Sequence, residues 1–131
     1  MAKVAATGSS IVYNSLTIGA LKSIGEVSPT GSEIDMTTLD SSGGYKEFAQ
    51  GFKDGGEVTL TGIHSTSDTG QAGVRTNFGT GDVDACVITF PDSTTVSFNA
   101  WVKSYSIGAA EVDGAVGFKA VLRITGAVTV A

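Results

Sequence analysis

Residues 118–130 alternate. Phe118, Ala120, Leu122, Ile124, Val128 and Val130 fall on one side of a period of two, and Lys119, Arg123, Thr125 and Thr129 on the other. That period belongs to an extended chain and has no counterpart on a helix. Residues 94–107 repeat it, with Val96, Phe98, Ala100 and Val102 against Thr95, Ser97, Asn99, Trp101 and Lys103. Two such strands demand a sheet with one apolar face to bury.

Shorter segments carry the same pattern. In 57–63, Val58 and Leu60 oppose Glu57, Thr59 and Thr61; in 33–38, Ile34 and Met36 oppose Glu33, Asp35 and Thr37. Residues 85–90 read as a further strand, and 11–18 and 20–27 as weaker ones. Because 33–39 and 57–63 are neighbours in sequence, antiparallel pairing is expected, which would merge their polar sides into one acidic, threonine-rich strip. Turns are expected at 28–32, 91–93 and around Asp113-Gly114. Eighteen glycines against two prolines fit strands and tight turns. A helix is expected near 69–78: Asp68 and Gln71 have capping-box spacing, Val74 and Phe78 lie at i, i+4 against the sheet, and Gly79 can end it. The 131 residues form one domain, 1–131, with residues 1–10 as a flexible arm. The fold class is mainly β, a two-sheet β-sandwich or barrel with one short flanking α-helix.

Several function classes lose support. A net charge of -5, with eight scattered Lys and Arg, gives no basic stripe for nucleic acid. One cysteine, Cys86, cannot form an internal disulfide, and the single His64 cannot make a two-histidine metal site. Cys86 reads as a buried thiol in "ACVITF". No signal peptide and no membrane-spanning run is visible, so no membrane insertion is expected and a reducing cytoplasm is the expected site of synthesis. Carboxylates at i, i+2 are ordinary on solvated strands and turns, and the short Gly-rich turns lack a phosphate-loop Lys-Ser/Thr. No enzyme, cofactor or metal is expected.

Residues 40–55 pose a different question. They show no regular period and read as a long inter-strand loop, yet they hold Tyr45, Phe48 and Phe52. Disordered segments are poor in aromatics, and structureless loops of this length in compact domains are usually functional. Either the rings fold back over the domain's own core, or they pack into another chain. In the second case Lys46, Glu47, Lys53 and Asp54 would set the register of an aromatic-anchored contact.

The run "TTLD…GYKEF…G-K-DGGEVT", preceded by "IGEVSPTGSEIDM" and followed by "GFKAVLRITGAVTV" at the chain's end, resembles the major tail tube proteins of long, non-contractile-tailed bacteriophages. The resemblance covers nearly the whole chain. It implies a phage-tail-tube or type VI secretion tube-like fold, with homohexameric rings stacked into a hollow tube in the virion tail. Assembly would occur in the host bacterial cytoplasm, with a tape-measure protein and tail tip or terminator proteins as partners. DNA would pass through without specific binding. On the same resemblance, residues 40–55 bridge subunits or rings, Ile34, Met36, Val58 and Leu60 are core, and Glu33, Asp35, Thr37, Glu57, Thr59 and Thr61 face the lumen. An acidic, hydroxyl-lined bore would repel phosphates, unless Lys103, Lys119 and Arg123 share it. Two rival readings remain: a monomeric β-sandwich module holding carbohydrate or peptide on exposed Trp101 and Tyr105, and a secretion-type tube ring.

Overall fold

The structure is a computed structural model and describes residues 7–108, 110, 112 and 114–131. In chain order the elements are β1 (Ser10–Tyr13), β2 (Leu16–Thr17), β3 (Leu21–Ile24), β4 (Thr30–Asp35), β5 (Phe48–Asp54), β6 (Glu57–Ile63), α1 (Thr69–Thr80), β7 (Asp84–Thr89), β8 (Thr95–Gly108) and β9 (Gly117–Val130). Of the flexible arm expected over residues 1–10, residues 1–6 lie outside the described residues, and Ser10 already belongs to β1. Asp113 of the turn expected around Asp113-Gly114 also lies outside them.

Seven strands form one sheet in the order β2-β1-β7-β8-β9-β6-β3, while β4 and β5 pair separately. The outermost strands β2 and β3 are joined by only residues 18–20. The Ile18 N–H donates to the Ile11 carbonyl at 3.0 Å, and the Ala20 carbonyl accepts from the Ile63 N–H at 2.8 Å. Three residues therefore connect β1 to β6 across the gap, and the sheet must curl until its edges approach. Ile11, Tyr13, Val58, Leu60, Cys86, Ile88, Phe98, Leu122 and Phe118 meet inside as one cluster. The connector runs so close to its neighbours that side chains are excluded. A Cβ on Gly62 would strike the Ala20 carbonyl, and one on Gly70 the Thr17 carbonyl. Gly70 weakens the helix by propensity but is required by this approach.

Helix α1 lies over β1, β2 and β8. Asp68 caps it, its Oδ2 accepting from the Gln71 N–H at 3.0 Å and from the Gly19 N–H at 2.9 Å. Gln71 does not complete a capping box. Its amide is turned inward, accepting from the Ser65 N–H and donating to the carbonyls of Gly19 and Ile63. Left-handed Gly81, rather than Gly79, ends the helix. Val74 is fully buried as expected, but Phe78 is half exposed, packed edge-to-face on Tyr105 with ring centroids 5.2 Å apart.

Other expectations change. Residues 11–18 are a hairpin rather than one strand, because Asn14 and Ser15 both take positive φ. Val130 keeps its inward parity but lies exposed at the rim. The antiparallel pairing expected between 33–39 and 57–63 is overturned: β4 pairs with β5, and β6 pairs with β3 and β9. The strip that was to merge Glu33, Asp35 and Thr37 with Glu57, Thr59 and Thr61 is therefore absent. Residues 40–55 are likewise corrected, since their second half is strand β5. Ile34 and Met36 are exposed rather than core.

Cys86 has no exposed surface, and burial pushes its thiol up to about 12. It is expected to ignore a maleimide near neutral pH in the folded protein and to react once unfolded; labelling followed by mass spectrometry checks this.

Candidate assembly surface

The β4–β5 hairpin is an arm. Its strands, six and seven residues long, run about 20 Å at 3.3–3.4 Å per residue. Register places Asp35 against Phe48, Ile34 against Ala49 and Glu33 against Gln50, and a bulge then shifts Gly31 to Lys53. Ser32, Ile34, Met36 and Ala49 share one side; Glu33, Asp35, Phe48 and Gln50 share the other. Neither side is covered.

Polar bonds order the tip. The Met36 N–H donates to the Glu47 carbonyl at 2.8 Å, and the Glu47 N–H donates to Thr37 Oγ1 at 2.8 Å. Ser41 Oγ donates to Glu47 Oε2 at 3.1 Å and accepts from the Thr38 N–H at 3.0 Å. Hydrogen bonds from Thr37, side chain first and then backbone, hold the Asp35 carboxyl below its usual range. Against this scaffold Tyr45 is 78% exposed, Phe48 52% and Phe52 95%. Of the two fates considered for these rings, folding back over the domain's own core is excluded. Lys46, Glu47, Lys53 and Asp54 are exposed on the same arm.

Among the described residues, the polar contacts between arm and body lie at the arm's base. Arg123 Nη2 donates to Asp54 Oδ2 at 2.8 Å, Asp54 Oδ1 accepts from the Gly56 N–H at 2.8 Å, and the Gly56 carbonyl accepts from the Ile124 N–H at 3.0 Å. The Arg123 bond first, and the Gly56 N–H second, hold the Asp54 carboxyl below its usual range. A carboxyl lowered by folding favours the folded contact above its unfolded value near 4 and loses it as pH falls through the folded one. The base contact is expected to persist at neutral pH and open in acid below about pH 4. Faster amide exchange at Gly56 and Ile124 in acid, absent from Asp54→Asn, checks this.

The outward face of β8, β9, β6 and β3 forms a second surface. Thr61 lies between Ser23 and Lys119, Thr59 is opposite Val121, and Glu57 is opposite Arg123, which faces Trp101. Lys103 reaches across β9 to form an ion pair with Glu57. Lys103, Lys119 and Arg123 thus share the face of Glu57, Thr59 and Thr61, and among these residues cations outnumber carboxylates, so the face is not acidic. A bulge at Lys103 turns Tyr105 inward toward Phe78 while Trp101 stays outward. The two rings lie on opposite faces and cannot form a single ligand platform.

Residues 9–130 match the model of the lambda phage tail tube protein family. The chain belongs to that family. It is a structural, tail tube protein. No curated protein sequence matches it. Solved structures with the same fold include the tail of an empty gene transfer agent particle determined with C6 symmetry, at 23% identity and TM-score 0.71, covering 88% of this chain and 84% of that one. The SPP1 tail tube aligns at 14% identity and TM-score 0.71, covering 98% of this chain and 78% of that one. A chain of the sheath-tube complex of an extracellular contractile injection system aligns at 11% identity and TM-score 0.78, covering 98% and 91%.

The tail tube fold therefore separates the site residues foreseen from sequence into two groups. Glu33, Asp35, Thr37, Tyr45, Lys46, Glu47, Phe48, Phe52, Lys53 and Asp54 lie on the arm; Glu57, Thr59 and Thr61 lie on the sheet. Sequence reasoning missed Ile34, Met36 and Leu39 as exposed arm residues. The available signal was Thr30-Gly-Ser-Glu-Ile-Asp, whose only apolar side chain is Ile34, too few for a buried strand.

Proposed function

We propose that the subunit assembles with copies of itself into stacked hexameric rings, forming the hollow tail tube through which phage DNA is ejected. The observation that carries this reading is the ordered arm with three uncovered aromatic rings, since exposed aromatic patches mark contact surfaces. Family membership and the C6 symmetry of the related gene transfer agent tail support it. Sheet edges support it further. Among the described residues, strand β3 is unpaired on its outer side, and β8 beyond Ala100 has no β-partner on the β7 side. Edge pairing between neighbouring copies would extend the sheet around a ring.

In this reading the outward face of β3, β6, β9 and β8 lines the bore, with Glu57, Thr59 and Thr61 in it and Glu33, Asp35 and Thr37 continuing along the arm. The pairs Glu57–Lys103 and Asp54–Arg123 occupy two of this face's three cations, leaving Lys119 alone without an ion pair among the described residues, too little to hold phosphate, so DNA slides rather than binds. Tape-measure and tip or terminator proteins are the further partners, with assembly in the host cytoplasm and residence in the virion tail.

Electron micrographs of the purified chain at rising concentration should show rings and then tubes. A chain that stays single at every concentration sinks the proposal. The bore is tested by Glu33→Lys, Asp35→Lys and Glu57→Lys together, which should still assemble but eject DNA poorly; unimpaired infectivity removes the electrostatic role.

A further inference from the structure

We propose that the arm of one subunit docks in a glycine-floored depression at the opposite end of a second copy. The inference rests on the tube reading and names the receptor for its arm.

The depression, about 390 Å³ in volume, opens where β6, β8 and β9 end and is lined by Thr61, Ser106, Gly108, Gly117 and Lys119 among others. Gly108 and Gly117 pair across β8 and β9, so on these two strands the last outward rung carries no side chain, and Ile63 of β6 closes that rung at its side. One rung inward stand Thr61, Lys119 and Ser106. Glycine in a strand marks a place where another group can lie directly on backbone, and a flat aromatic ring suits that floor.

Charge points the same way. Around the tip the arm carries Glu33, Asp35, Asp40 and Glu47 against Lys46, while Lys119 stands at the edge of the depression. Tyr45 and Phe48 flank Glu47, so rings on the glycine floor would bring a carboxylate to Lys119. Hot spots pair buried aromatics with such peripheral charges.

Position supplies the third argument. The arm leaves the sheet at the Glu57 end of β6, and the depression lies at the Ile63 end, about 20 Å away along the strand. Unlike surfaces at opposite ends make a head-to-tail contact, which adds copies along that axis without closing on itself.

Two variants on exposed, outward positions test the docking. Ser106→Trp fills the depression, and Lys119→Glu reverses its charge. Both are expected to melt like the parent chain yet raise the concentration needed for tubes at least about tenfold, the scale of one lost anchor. Adding Glu47→Lys should restore assembly to Lys119→Glu. Chains carrying Phe48→Cys should cross-link to chains carrying Ser106→Cys only in polymers, buried Cys86 staying silent. If the parent chain forms tubes while either variant assembles at the parent's concentration, or the cysteines stay unjoined, the docking is overturned and the tube reading stands. A parent chain that forms no tubes overturns both.

Discussion

Changing Tyr45, Phe48 and Phe52 together to serine is expected to raise the concentration at which tubes form by about a hundredfold or more. The melting temperature should move by less than about 2 °C. The two effects separate because the rings stand clear of the subunit's own core. Removing exposed apolar surface changes folding stability little, whereas removing aromatic anchors from a contact takes away most of its binding free energy. Light scattering against concentration reads the first effect and circular dichroism on heating the second. A large loss of thermal stability with assembly intact would mean that the rings serve the subunit's own fold.

The largest effect on folding is expected at a polar residue. Gln71 has no exposed surface and makes three hydrogen bonds: from the Ser65 N–H at 3.0 Å, to the Gly19 carbonyl at 3.0 Å and to the Ile63 carbonyl at 2.9 Å. Those groups belong to the β2–β3 connector, the end of β6 and the segment entering α1, so one amide ties together the place where the sheet curls shut. Leucine is of similar size but makes none of these bonds. Each of the three groups left without a partner costs about 1–3 kcal/mol, so Gln71→Leu should lose about 3–9 kcal/mol. At roughly 3 °C per kcal/mol for a domain of this size, the melting point should fall by about 10 °C or more. Urea unfolding of the variant checks this, and a loss under about 1 kcal/mol would show that the connector is held by something else.

Much of the body was legible because its strands bury one face. The alternation of Val96, Phe98, Ala100 and Val102, and of Phe118, Ala120, Leu122 and Ile124, places all eight inside. Asp68 was readable as a cap because an N-cap acts through local geometry. The arm was not legible, because hydrophobic periodicity reports burial and neither side of the arm is buried in the subunit. Phe48, Gln50 and Phe52 alternate with Ala49, Gly51 and Lys53, but without an apolar side the alternation carries no signal. With no periodic signal in β5, the sequence pairs β4 with the next periodic strand, β6, and the expected acidic strip follows from that pairing. That Trp101 and Tyr105, both exposed, lie on opposite faces was hidden for a different reason. A single extra residue at Lys103 reverses the parity of everything after it, and no side chain there announces the bulge.

The hairpin leaves the sheet at one end of β6 only, so the molecule has a plug end and a bare end and no symmetry relating them. Any filament built by repeating it has chemically unlike tips, one always displaying uncovered rings and the other never doing so. Elongation should therefore run at different speeds from the two tips, and a stopper needs to imitate only one of them.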